Sequence, residues 1–110
     1  MRVWDIAPKK LCRKHLLGEH RELHAVYSII AHDKKGYRNH PETKRWEGKL
    51  AALYVRHEKL VEEMQRRGYV HASPLDKKFA KGKRLQDAFV HTPAEQLKIL
   101  KEKPCDCPLD

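Results

Sequence analysis

Trp46, Leu50, Leu53, His57, Leu60 and Met64 recur at spacings of four and three. That period lines six side chains along one side of an α-helix and does not fit the two-residue alternation of a half-buried strand. His40-Pro41-Glu42 supplies a start, with a proline and an acid in the first turn. Arg66-Arg67-Gly68 supplies a stop, a basic last turn followed by glycine. The spacing therefore predicts one helix from Pro41 to the Arg67 region.

Other segments read the same way. Residues 1–7 form an extended arm, and Pro8 suits the first turn of a helix running to about His32. Leu16, Leu23, Val26, Tyr27 and Ile30 give that helix its apolar stripe, and Asp33-Lys34-Lys35-Gly36 ends it. Ser73-Pro74 opens a weaker helical stretch through about Phe89, interrupted by Gly82. Thr92-Pro93-Ala94-Glu95 is a capping box, with Leu97 and Leu100 on the apolar side of the short helix it starts. Pro104 halts that helix, and residues 102–110 read as an irregular tail. No β-alternation or repeat is present. The fold class expected is all-α: residues 1–110 as one compact helical bundle of three to four helices with an extended N-terminal arm.

Lys and Arg number 24 against 15 Asp and Glu, a net charge of +9. Such a surplus favours polyanions and salt-sensitive association, with nucleic acid as the first candidate partner. The start MRVWDIAPKK has no apolar run, and no segment reaches bilayer-spanning length. Three cysteines, Cys12, Cys105 and Cys107, do not space as a disulfide framework. The expectation is an intracellular protein, in the cytoplasm or nucleoid of a microbe, with no membrane partner.

The first helix carries His15, Gly18, Glu22 and Ala25 on one face. Gly18 and Ala25 are small, so Glu22 sits between two gaps and can line a concavity. A buried carboxylate tends to titrate high, which suits acid–base work. The plainer alternative is a solvated face on which Glu22 forms local ion pairs.

The stretch His15-Leu16-Leu17-Gly18-Glu19-His20-Arg21-Glu22-Leu23 closely resembles the H-L-x-x-E-x-R-E-L signature of the phage-type pyrimidine-dimer DNA glycosylases, the pyrimidine-dimer-excising endonuclease V family. Arg2 follows the first residue, as an arginine does there. His40 and the helix ending in Arg67-Gly68-Tyr69 resemble the family's central histidine and its K-R-G-F ending. The resemblance covers about residues 1–70.

It implies a bifunctional glycosylase and AP lyase acting on damaged double-stranded DNA, without a cofactor or a metal, and as a monomer. The family's nucleophile is an α-amine twenty-one positions before its essential glutamate. Carried over, the catalytic pair is the amine of Met1 and Glu22, with Arg2, His15, Arg21 and His40 as DNA-binding residues. An α-amine titrates near pH 8, about 2.5 units below lysine, so it is far more often a neutral nucleophile. The sequence departs from the family at Ala25, where an arginine stands, and at His24, where a proline stands. The family's aromatic, basic C-terminal segment is also missing.

Two other groupings compete. Cys12 and His15 at i, i+3 plus Cys105-x-Cys107 could form a Cys₃His zinc site tying the tail to the first helix; plain thiols are the alternative. His57 lies on the apolar stripe and reads as a core histidine. Lys77-Lys78-Phe79-Ala80-Lys81-Gly82-Lys83-Arg84 could track a DNA backbone or form a solvated face. The rival functions are a non-catalytic basic helical DNA-binding module and a zinc-stabilised interaction protein.

Overall fold

The computed structural model describes residues 2–70, 73–103 and 107. Among these residues four α-helices follow one another: α1 (Arg13–Ala31), α2 (Pro41–Lys44), α3 (Leu50–Arg66) and α4 (Pro93–Lys101). Short 3₁₀ turns lie at Pro8–Lys10 and Lys77–Phe79. Among the described residues there is no sheet, only one isolated bridge between Lys49 and Gly82. The expected all-α class is what the chain adopts.

The two long helices pack together. Leu16, Leu23, Val26 and Tyr27 of α1 meet Leu50, Leu53, Leu60 and Met64 of α3 in one apolar cluster. Trp46, Val3, Trp4, Ile6, Leu11 and Leu100 belong to the same cluster. No helix among the described residues is long and apolar enough to cross a membrane.

Both long helices end in the same motif. After α3, Gly68 takes φ 80°, with Gly68 N–H bonded to the Gln65 carbonyl and Tyr69 N–H to that of Met64. This is the Schellman arrangement, and the glycine stop is where the sequence puts it. After α1, the left-handed residue is Asp33 (φ 49°), not Gly36, and Lys34 N–H bonds the Ile29 carbonyl. Aspartate tolerates that conformation through its short polar side chain.

Three helix boundaries differ from the sequence reading. Pro8 opens only a 3₁₀ turn, and Leu11 is extended before α1 begins at Arg13. The continuous helix expected from Pro41 breaks after Lys44, with Gly48 at φ 72°. The break has a tertiary cause. The Gly48 carbonyl accepts from Lys83 N–H, and the first N–H groups of α3, at Ala51 and Ala52, donate to the carbonyls of Lys81 and Lys83. Lys49 offers no side-chain cap, so the distant loop satisfies the donors that every helix start leaves open. That use of residues 81–83 also explains the third difference. The stretch from Ser73 to Phe89 stays irregular apart from the turn at Lys77–Phe79. Its carbonyls serve α3 and not a helix of its own.

α4 starts as the sequence predicts. Thr92 accepts from Glu95 N–H through its hydroxyl oxygen, and the Glu95 carboxylate accepts from Thr92 N–H. α4 is tied to the arm. Gln96 accepts from Asp5 N–H at 2.7 Å and donates to the Asp5 carboxylate at 2.9 Å. Arg45 donates to the Val3 carbonyl and pairs with Asp5, both at 2.8 Å, and is buried against Glu42. Arg67 donates to the carbonyls of Pro8 and Leu11. The arm is thereby fixed along its length from Val3 to Leu11.

Candidate active site

An open cavity of about 500 Å³ is lined by Arg2, Trp4, Lys14, His15, Gly18, Glu19, Glu22, His40 and Lys103. It falls within the range of small-molecule pockets, about 300–1,000 Å³. Its residues come from the arm, from one face of α1, from the cap of α2 and from the end of α4. Arg2 stacks its guanidinium over Trp4 at 4.9 Å, and Trp4 meets the His15 ring edge-on at 5.9 Å. Arg2 also lies 3.5 Å from His91. His40 is the N-cap residue of α2, where its Nδ1 accepts from Glu42 N–H at 3.1 Å. Accepting through Nδ1 leaves Nε2 as the nitrogen available to carry hydrogen.

Of the residues singled out in the sequence, Arg2, His15, Glu22 and His40 line this cavity. Arg21 does not; it is exposed on α1 beside that face. Met1 lies outside the described residues. Gly18 lines the cavity and no atom lies near where its Cβ would stand, so the expected gap beside Glu22 is present. Ala25 does not take part in it.

The two glutamates of the signature occupy different environments. Glu22 is half-buried, with no hydrogen-bond or ion-pair partner for its carboxylate among the described residues. Glu19 is the buried one, 2% exposed, and the sequence reading missed it. Arg56 of α3 grips it with two bonds, Nε at 2.6 Å and Nη2 at 2.9 Å. Burial pushes the Glu19 carboxyl above its ordinary range, against the opposing pull of Arg56 and the Trp4 backbone N–H. The fully buried carboxylate of this stretch is therefore Glu19. His15 titrates lower than usual, first through burial and then through the nearby charges of Lys103 and Lys14. That favours its neutral form at pH 7.

The cavity thus joins cationic side chains suited to phosphates with one accessible carboxylate and two imidazoles. The sequence profile of the pyrimidine dimer DNA glycosylase family matches residues 1–77, which hold every lining residue but Lys103. The chain belongs to that family. Its substrate is accordingly DNA, and its class of activity is that of a DNA glycosylase. No curated protein and no solved structure matches it.

The structure brings together three residues of the candidate cysteine–histidine site and, in addition, three histidines that the sequence left apart. Cys12, His15 and Cys107 offer ligand atoms within 4.8 Å of one another, as do His20, His24 and His57. Cys105, the other half of the C-x-C pair, lies outside the described residues.

Proposed function

We propose that the chain excises cyclobutane pyrimidine dimers from double-stranded DNA and then nicks the strand, as a monomer built from one domain. The observation that carries this reading is the cavity that gathers Arg2, His15, Glu22 and His40 from three separate segments. The neutral α-amine of Met1 attacks C1′ of the damaged nucleotide. The C1′–N bond breaks and its electron pair leaves with the base. The attached amine loses a proton, and the C1′–O4′ bond then breaks with its electron pair going to O4′, which takes up a proton, while the nitrogen lone pair forms the protonated C1′ Schiff base. The Glu22 carboxylate stabilises the positive charge on the sugar and takes the C2′ proton. The C3′–O bond then breaks with departure of the phosphate, and water hydrolyses the imine to regenerate the amine.

The peptide bond to Arg2 limits how far that amine can lie from the cavity. Arg2 and Arg21 bind phosphates beside the lesion. His15 and His40 position the sugar, with His40 donating through Nε2. Reaching the sugar requires flipping a nucleotide, which costs least where damage has weakened stacking.

Borohydride trapping tests the proposal. The untagged protein is incubated with duplexes carrying one cyclobutane dimer, one abasic site or no damage, and the crosslinked residue is mapped. Trapping on the dimer duplex at Met1, abolished by N-terminal acetylation, is the expected result. Trapping on the abasic duplex alone would keep the amine chemistry and overturn the lesion assignment. Salt-sensitive binding without trapping would overturn the chemistry and leave a DNA-binding module.

A further inference from the structure

On α1, His20 and His24 stand four residues apart, on the side opposite the cavity. Both meet His57 of α3, which is fully buried. His20 Nε2 and His24 Nε2 each lie 3.2 Å from His57 Nε2. The ring centroids are 4.6 to 5.0 Å apart. On the far side of the His57 ring, Nδ1 lies 3.0 Å from Glu58 Oε1.

Hydrogen bonding alone does not account for this arrangement. A carboxylate accepts, so the Glu58 contact places a hydrogen on His57 Nδ1 and, in the neutral ring, leaves Nε2 with its lone pair. That lone pair faces two other Nε2 atoms and the Ser73 carbonyl oxygen at 3.3 Å. One nitrogen carries either one hydrogen or one lone pair, and three partners exceed both. A cation among the three nitrogens uses all three lone pairs at once. Zinc–nitrogen bonds of about 2.0–2.1 Å at a tetrahedral angle put ligand nitrogens about 3.3–3.4 Å apart, close to the 3.2 Å seen. A carboxylate on the remote ring nitrogen is the support that ligating histidines commonly have. We propose that His20, His24 and His57 hold a structural zinc ion that clamps α1 to α3.

A second set of contacts, in different residues, points to a second zinc. His15 Nδ1 lies 3.3 Å from Cys12 Sγ and 3.2 Å from Cys107 Sγ. Cys12 N–H donates to Cys107 Sγ at 3.1 Å, a bond that stabilises a thiolate. Two sulfurs and one imidazole are ligands that select zinc over calcium or magnesium. This ion pins the segment after α4 to the start of α1. His15 then spends Nδ1 on the metal and faces DNA only through the rest of its ring. In each site the described residues supply three of the four ligands of a structural zinc.

The untagged chain, expressed with zinc in the medium and desalted, should contain two zinc ions per chain by elemental mass spectrometry. His24→Ala should remove one and Cys107→Ser the other. Cobalt replacing zinc in the wild-type chain reports the sites without any variant: a thiolate-to-cobalt charge-transfer band marks the cysteine site, and ligand-field bands that persist in Cys107→Ser mark the histidine site. Chelator should lower the melting temperature, with zinc but not magnesium restoring it. One zinc, lost in Cys107→Ser and kept in His24→Ala, would overturn the histidine site. The converse would overturn the cysteine site. A folded, zinc-free chain whose melting is indifferent to zinc would overturn both.

Discussion

Glu19 and Glu22 stand three residues apart on α1, and packing gives them different work. Arg56 holds Glu19 in the interior with two bonds, whereas Glu22 opens into the cavity. Glu22→Gln keeps the shape and removes the charge. It should lower borohydride trapping on dimer DNA by a factor of about 10²–10⁴, with binding to the same duplex little changed in a gel-shift titration. Arg56→Met strands a buried carboxylate and should cost about 3–5 kcal/mol in a denaturant melt. Adding Glu19→Gln to it should recover much of that loss, because the stranded charge is then gone. Glu22 was legible in the sequence through its spacing and the glycine beside it. Glu19 was not, because its partner lies 37 positions away on another helix. His57 read as a core histidine and is fully buried; its contacts with His20 and His24 were not legible, because those residues are 37 and 33 positions distant.

At the scale of elements, the start of α3 depends on a loop. Gly82 takes φ 88°, and a Cβ there would collide with the Gly48 carbonyl. Gly82→Ala should therefore destabilise the chain by about 1–3 kcal/mol. Gly36→Ala, where nothing lies near the new Cβ, should change stability by no more than about 0.5 kcal/mol. Thermal melts of both variants check the pair. Thr92→Ala removes the cap of α4 and should cost about 1 kcal/mol. Local signals carried far here: the apolar period located α1 and α3, and the capping box fixed the first turn of α4. They failed where a helix end is decided across the fold. The break at Gly48 exists because Lys83 bonds its carbonyl, and no window around residue 48 contains that partner.

For the molecule as a whole, charge and size set the terms of binding. Its longest dimension is 36 Å, about ten base pairs at 3.4 Å each, so one helical turn of duplex is the most it can cover lengthwise. A net charge of +9 on that span makes affinity fall steeply with salt. Arg2, Lys14 and Lys103 line the cavity itself. Lys103→Ala should weaken binding to damaged and undamaged duplex alike and reduce the slope of log affinity against log salt by about one. An unchanged slope would place Lys103 off the DNA path. The arm beside that path is seated by residues near the other end of the chain, with Asp5 bonded to Gln96 and Arg2 beside His91. Those bonds span 91 and 89 positions, so this end of the arm is seated only when α4 docks, whereas Arg45 and Arg67 hold the stretch from Val3 to Leu11 from the middle of the chain. Fraying of α4 should therefore slacken the arm at Arg2 and Asp5, the part nearest the cavity, while the core of α1 and α3 stays folded.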